Sequence, residues 1–166
     1  MYSTIAEFLM DWEYESGTTL KTFQELTDES LTQRVTPTGR SIGKIAWHIV
    51  ATVGEMMQAA GMQFDAPVDD KLVPLSAAEI LDGYKKASEN FASALPSQWR
   101  DEDLAGEIQL YGQSFTRGKT LVMLVKHQIH HRAQLTVLMR QAGLKVPGAY
   151  GPSFEEWSQY GAPAAE

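Results

Sequence analysis

Four histidines occur in the 166-residue chain, and three of them crowd into His127-Gln128-Ile129-His130-His131. At roughly 100° of helical rotation per residue, His127 and His131 point the same way, while His130 is turned aside by roughly 60 to 100°. Two imidazoles one turn apart can offer nitrogen lone pairs to a single ion, as zinc sites carried on helices do. A third ligand must come from elsewhere, and His48 is the candidate. Three neutral imidazoles leave a fourth position for water or substrate, a layout of catalytic rather than structural sites. The spacing alone is a weak motif, and a lone His48 beside Trp47 is more often a hydrogen-bonded core residue than a ligand. The triad therefore requires helices that bring the rings of His48 and His131 within about 5 Å of each other, given metal–nitrogen bonds of about 2.1 Å.

Apolar spacing supplies such helices. Ile5, Phe8, Leu9 and Trp12, then Leu20, Phe23 and Leu26, predict one long helix or a bent pair, ended by Thr36-Pro37-Thr38-Gly39. Ile42, Ile45, Ile49, Val53, Met56 and Ala60 predict a second helix from Ser41 to just before Gly61. It carries His48 on the shoulder of its apolar stripe, aligned with Thr52 and Glu55. After an Asp- and Pro-rich connector, Ser76 and Glu79 form a capping box that opens a third helix, with Pro96 as its stop. The segment from Trp99 to Gly118 reads as a long irregular loop with one short alternating piece, Glu107 to Tyr111. The fourth helix, Lys119 to Gln141, directs Leu124, Leu135, Leu138 and Ala142 toward the same side as His127 and His131, and Gly143 stops it. A second capping box at Ser153 and Glu156 predicts a short helical turn carrying Trp157, a lid on one end of the domain. The expectation is an all-α fold: a four-helix bundle with a short C-terminal helical turn, one domain over 1–166, and no competing strand pattern.

Composition removes other chemistries. The chain has no Cys, which excludes a disulfide framework, a cysteine zinc finger and a cysteine nucleophile. A charge of -7 opposes non-specific nucleic-acid binding, and no basic patch offsets it. The longest aliphatic run, Leu121 to Val125, is far short of a membrane span, and Met1 to Asp11 lacks a secretory n-region. No nucleic acid, no membrane and a cytoplasmic location are expected. Met56, Met57, Met123 and Met139 read as core filling.

The run His127-Gln128-Ile129-His130-His131-Arg132-Ala133-Gln134-Leu135, continued by Leu138-Met139-Arg140-Gln141-Ala142-Gly143 and Val146-Pro147-Gly148-Ala149-Tyr150-Gly151, resembles the last-helix signature of the DinB family. The segment Arg40-Ser41-Ile42-Gly43-Lys44-Ile45-Ala46-Trp47-His48-Ile49-Val50 resembles that family's second helix. The family often has Gly where Ala133 follows His131-Arg132, and both are small enough for close helix approach. The resemblance implies a four-helix bundle, a homodimer, and a divalent ion held by one His of the second helix and two of the last. Those positions are His48, His127 and His131.

A three-His divalent ion with an open position can lower the pKa of a coordinated water toward about 7, or ionise a thiol. Since the chain has no Cys, sulfur chemistry needs an external low-molecular-weight thiol as partner to the small-molecule substrate, and relatives that use such thiols fit that demand. The favoured expectation is a metal-dependent transferase of thiol S-transferase type; a metal-dependent hydrolase and a non-catalytic, dimeric, stress-associated binding protein are the alternatives. Zinc or nickel leads as cofactor, then iron. Gln134, close in direction to His127, and Glu55, two turns below His48, are the candidate catalytic residues: Gln134 to hydrogen-bond a ligand or substrate, Glu55 as proton acceptor or partner to a metal ligand. A solvated helix flank is the competing reading of Glu55. Arg132, turned well away from the histidines, reads as a surface or dimer contact.

Overall fold

Short polar side chains open three of the four long helices. Thr4, Ser41 and Thr116 each accept the backbone N–H of the residue three positions on, and so begin α1 (Ile5–Gln24), α2 (Ile42–Ala59) and α4 (Arg117–Gln141). Each bond satisfies a donor that has no partner within the first helical turn. In this computed structural model, which describes residues 2–161 and residue 163, α3 (Ala77–Gln98) starts differently. The side chain of Ser76 makes no capping bond, so the expected capping box is not formed; the N–H of Ala77 donates instead to Asp28 Oδ1 at 2.7 Å. The cap thus comes from the connector between α1 and α2. The ends of the expected 1–166 domain, Met1, Ala162 and 164–166, lie outside the described residues.

Three boundaries also differ from the sequence reading. Pro96 does not stop α3, which runs on to Gln98 and closes with the Trp99 N–H on Leu95 O at 3.0 Å. So near the helix end a proline removes one backbone bond without breaking a continuing ladder. α1 is a single helix through Gly17, and it ends at Gln24, well before Thr36; a 3-10 turn, Glu29–Thr32, fills the interval. The segment Trp99 to Gly118 is not irregular. It holds a 3-10 turn, Asp101–Ala105, and an antiparallel hairpin of β1 (Glu107–Leu110) and β2 (Gln113–Thr116), with Ile108 opposite Phe115. Tyr111 and Gly112 form its two-residue turn at φ 53 and 74, the mirror-image turn that suits strand twist. The expectation of no strand therefore fails, because β2 is polar for its first half and shows no alternation. The C-terminal helical turn is present as Trp157–Tyr160. Only half of its expected box forms: Ser153 N–H donates to Glu156 Oε2, while Ser153 Oγ has no partner.

The four helices pack in an order that sequence adjacency would not give. α1 packs against α3 and α4, and α2 also packs against α3 and α4, so α1 and α2 occupy one diagonal of the bundle. Phe8, Trp12 and Phe91 interlock between α1 and α3, and Phe23 meets Tyr84 edge-on. α2 buries Ile42, Ile45, Ile49, Val53 and Met56 against its neighbours. Among the described residues no helix is long and apolar enough to cross a membrane. Where α2 meets α4 the apolar contact is interrupted by histidines.

Candidate metal centre

His48 from α2 and His127 and His131 from α4 meet at that seam. The Nε2 of His127 lies 3.2 Å from His48 Nε2 and 3.2 Å from His131 Nε2. The rings of His48 and His131 are 4.8 Å apart between centroids, and the ligand atoms that the three residues offer all lie within 4.8 Å of one another. Four ligands placed tetrahedrally at about 2.1 Å from an ion are separated by about 3.4 Å, so the observed spacing suits a shared cation.

The far nitrogens decide which lone pairs are offered. His48 Nδ1 is 3.0 Å from Asp70 Oδ2, and a carboxylate only accepts, so Nδ1 carries the hydrogen and Nε2 keeps its lone pair. His131 Nδ1 is 2.7 Å from Gln134 Oε1, whose amide nitrogen faces His130 Nε2 at 3.2 Å; the same logic leaves His131 Nε2 bare. Both lone pairs point toward His127. A single hydrogen on His127 Nε2 could not satisfy both fully, and its Nδ1 is buried without a partner. The donor set is left short of positive charge at its centre, which a divalent cation would provide.

The surroundings favour the neutral forms of His127 and His131. Burial, reinforced by the positive forms of His131, His48 and His130 and by Arg40, lowers the pKa of His127 to about 4. Burial also lowers that of His131, against the opposing hydrogen bond that His131 donates to Gln134. Burial pushes the Asp70 carboxyl up, but its bond to His48 and its contacts with Lys44 outweigh this and hold it below the ordinary value. Lys44 lies 3.4 Å from Asp70 Oδ2 and also bonds the Asp70 carbonyl, while Trp47 Nε1 donates to Asp69 O at 2.9 Å. Two residues preceding His48 in α2 thus fasten the connector that delivers Asp70. The hydroxyl of Thr52 donates to the His48 carbonyl at 2.6 Å.

The other expected residues have definite places. Gln134 touches the triad, through His131 rather than His127. His130 is exposed at the edge, its ring 4.9 Å from that of His131. Glu55 is not among the converging nitrogens. It borders a hollow of about 450 Å³ together with His48, Thr52 and Asp70, and its Oε1 accepts the Tyr111 hydroxyl at 2.9 Å. Burial, and then this bond, raise the Tyr111 pKa. Asp70 was invisible to spacing, being 22 positions from His48 in a segment without periodicity.

Arg132 corrects the expectation of a surface or dimer contact. It is 3% exposed and pairs at 2.7 Å with Glu15 Oε2 of α1, itself 3% exposed. Its guanidinium also donates to Thr19 Oγ1 and to the Tyr150 oxygen, and the Tyr150 hydroxyl closes the network on Glu15 Oε1 at 2.6 Å. The residue faces away from the histidines, but that direction leads to α1.

A helical bundle whose packing order brings one histidine of α2 against an HxxxH pair of α4 defines a recognisable class. The chain belongs to the DinB family, whose model matches residues 1–164. It is 47% identical over 161 residues to the protein YrdA of Bacillus subtilis strain 168, covering 97% of this chain and 96% of that one. A crystal structure of a DinB-like protein from Bacillus cereus matches with 45% identity and a TM-score of 0.88, covering 90% of this chain and 100% of that one. YfiT from Bacillus subtilis, described as a probable metal-dependent hydrolase with an unusual four-helix bundle topology, shares the fold at 16% identity and a TM-score of 0.66, over 84% of this chain and 87% of that one.

Proposed function

We propose that this protein is a metal-dependent enzyme acting on a small molecule, with His48, His127 and His131 as ligands and transfer of a low-molecular-weight thiol as its reaction. The observation that carries the reading is the convergence of three Nε2 atoms, two of them fixed as lone-pair donors by Asp70 and Gln134. Three imidazoles suit zinc or nickel, then iron. When bound, such an ion supplies Lewis acidity that ionises a thiol or water near neutral pH.

The chain's own residues orient and insulate. Asp70 and Gln134 hold the imidazole rings, and burial keeps His127 neutral. Acid–base help is scarce: Asp70 is engaged by His48 and Lys44, and Glu55 by Tyr111. A thiol, with an ordinary pKa near 8.5, needs less such help than water does, which favours thiol transfer over hydrolysis. Glu55 would accept a proton only after releasing Tyr111, and Gln134 serves mainly by positioning His131. A cytoplasmic homodimer is the setting this reading assumes. Hydrolysis is the second reading, favoured by the description of the fold neighbour YfiT.

The test is a pair of assays on untagged protein reconstituted with zinc or nickel. Consumption of a cysteine-based thiol with a haloaryl electrophile should depend on the metal and vanish in His127→Ala. Metal-dependent cleavage of aryl esters that is indifferent to thiol would contradict thiol transfer and establish the hydrolytic reading.

A further inference from the structure

On the His131 side of the triad lies a second hollow, of about 430 Å³. Val35, Ile45, Val137 and Leu138 give it apolar walls, while His131 and Gln134 connect it to the metal ligands. One cationic side chain, Arg40, lines it too, and Arg40 forms no ion pair among the described residues. Val35 and Val137 are 62% and 55% exposed, so the hollow is open to a ligand.

This placement is electrostatically odd. The Arg40 guanidinium shares this hollow with His131 and acts on His127 and His131 as a positive charge that would repel a cation held there, and among the described residues no carboxylate lines the hollow. The hollow on the His48 side has a net acidic lining, with Asp69, Asp70 and Glu55 against one cation, Lys71. An anion seated between Arg40 and the triad removes the repulsion, and the planar fork of an arginine matches the two oxygens of a carboxylate.

We propose that Arg40 is a substrate-binding residue, and that the substrate taken into this hollow is a carboxylate with a short apolar body, its acid end toward Arg40 and its body against Val35, Ile45 and Val137. The proposal deepens the metal-enzyme reading by naming the substrate class, and it rests on that reading for the identity of the neighbouring site. Glu55 and the acidic hollow take no part in it.

The probes are octanoate and octanol, identical in chain and different in charge, titrated calorimetrically into metal-free and zinc-loaded protein. Metal-free wild type should prefer octanoate by about fivefold or more, the weight of one partly hydrated charge-assisted contact. Arg40→Gln should lose that preference while binding octanol unchanged, and its zinc affinity should equal or exceed that of wild type. Val137→Glu, which puts a like charge on the wall, should also abolish the octanoate preference. Equal binding of the two probes by wild type, no binding of either, or an undiminished preference in Arg40→Gln or Val137→Glu would overturn the assignment. The two readings fail separately: a protein that prefers octanoate through Arg40 but takes up no zinc sinks the metal reading alone, and one that holds zinc without the preference sinks only the role of Arg40.

Discussion

Two of the three imidazoles at the α2–α4 seam, those of His48 and His131, are held by what their far nitrogens touch, and those contacts are open to mutation. Asp70→Asn keeps the shape but weakens the acceptor for His48 Nδ1, and zinc affinity measured by chelator competition should fall roughly 10- to 100-fold. Acidification has a definite sign. The pKa of His127 is lowered to about 4 in the fold, from an ordinary value of 6.5, so between those limits the unfolded chain binds more protons than the folded one. The metal-free protein should therefore lose stability as pH falls from 6.5 toward 4, seen as a declining Tm, and His127→Gln should flatten that slope. Of these residues, His127 and His131 were legible because 3.6-residue periodicity fixes their shared direction. Asp70 was not, since its position depends on how a connector folds back over α2.

That connector is fastened by a glycine. A Cβ at Gly54 would sit 2.3 Å from the Pro67 carbonyl oxygen, a backbone atom that cannot swing aside, so Gly54 is what lets the Asp70-bearing segment lie against α2. Gly54→Ala should cost roughly 1–3 kcal/mol in urea unfolding, as overpacking does, and should lower zinc affinity too because Asp70 is displaced. Elements explain the misreadings as well. α4 is covered on two sides, by α2 and by α1, so the simple rule of one buried stripe and one wet face sends Arg132 to solvent when it meets Glu15. The hairpin escaped notice because Gln113-Ser114 lacks alternation, so the alternating piece from Glu107 to Tyr111 had no visible partner strand, and Gly112 after Tyr111 was the one sign of the turn. The helices themselves were readable from apolar spacing, but their caps were not: Thr4 and Thr116 stood out in no pattern, and α3 takes its cap from Asp28, far off in sequence, and not from Ser76.

At the scale of the molecule, two polar seams tie α4 into the bundle: the histidines against α2, and the Glu15–Arg132 pair against α1, closed by Tyr150 from the C-terminal segment. Removing one partner of a buried pair strands the other charge, so Arg132→Ala should destabilise the fold by roughly 3–5 kcal/mol in chemical unfolding. Loss of the exposed Lys86–Asp82 pair, which water and salt screen, should leave the unfolding midpoint unchanged. The diagonal packing order was not encoded in any periodicity, because amphipathic stripes say which face is buried but not which helix covers it. The measurement that bears most directly on the whole account is elemental analysis of untagged protein after reconstitution with zinc and removal of excess metal. One ion per chain is predicted for wild type and for His130→Ala, and almost none for His48→Ala, His127→Ala or His131→Ala. A wild-type ratio far below one, or an equal loss in all four variants, would contradict it.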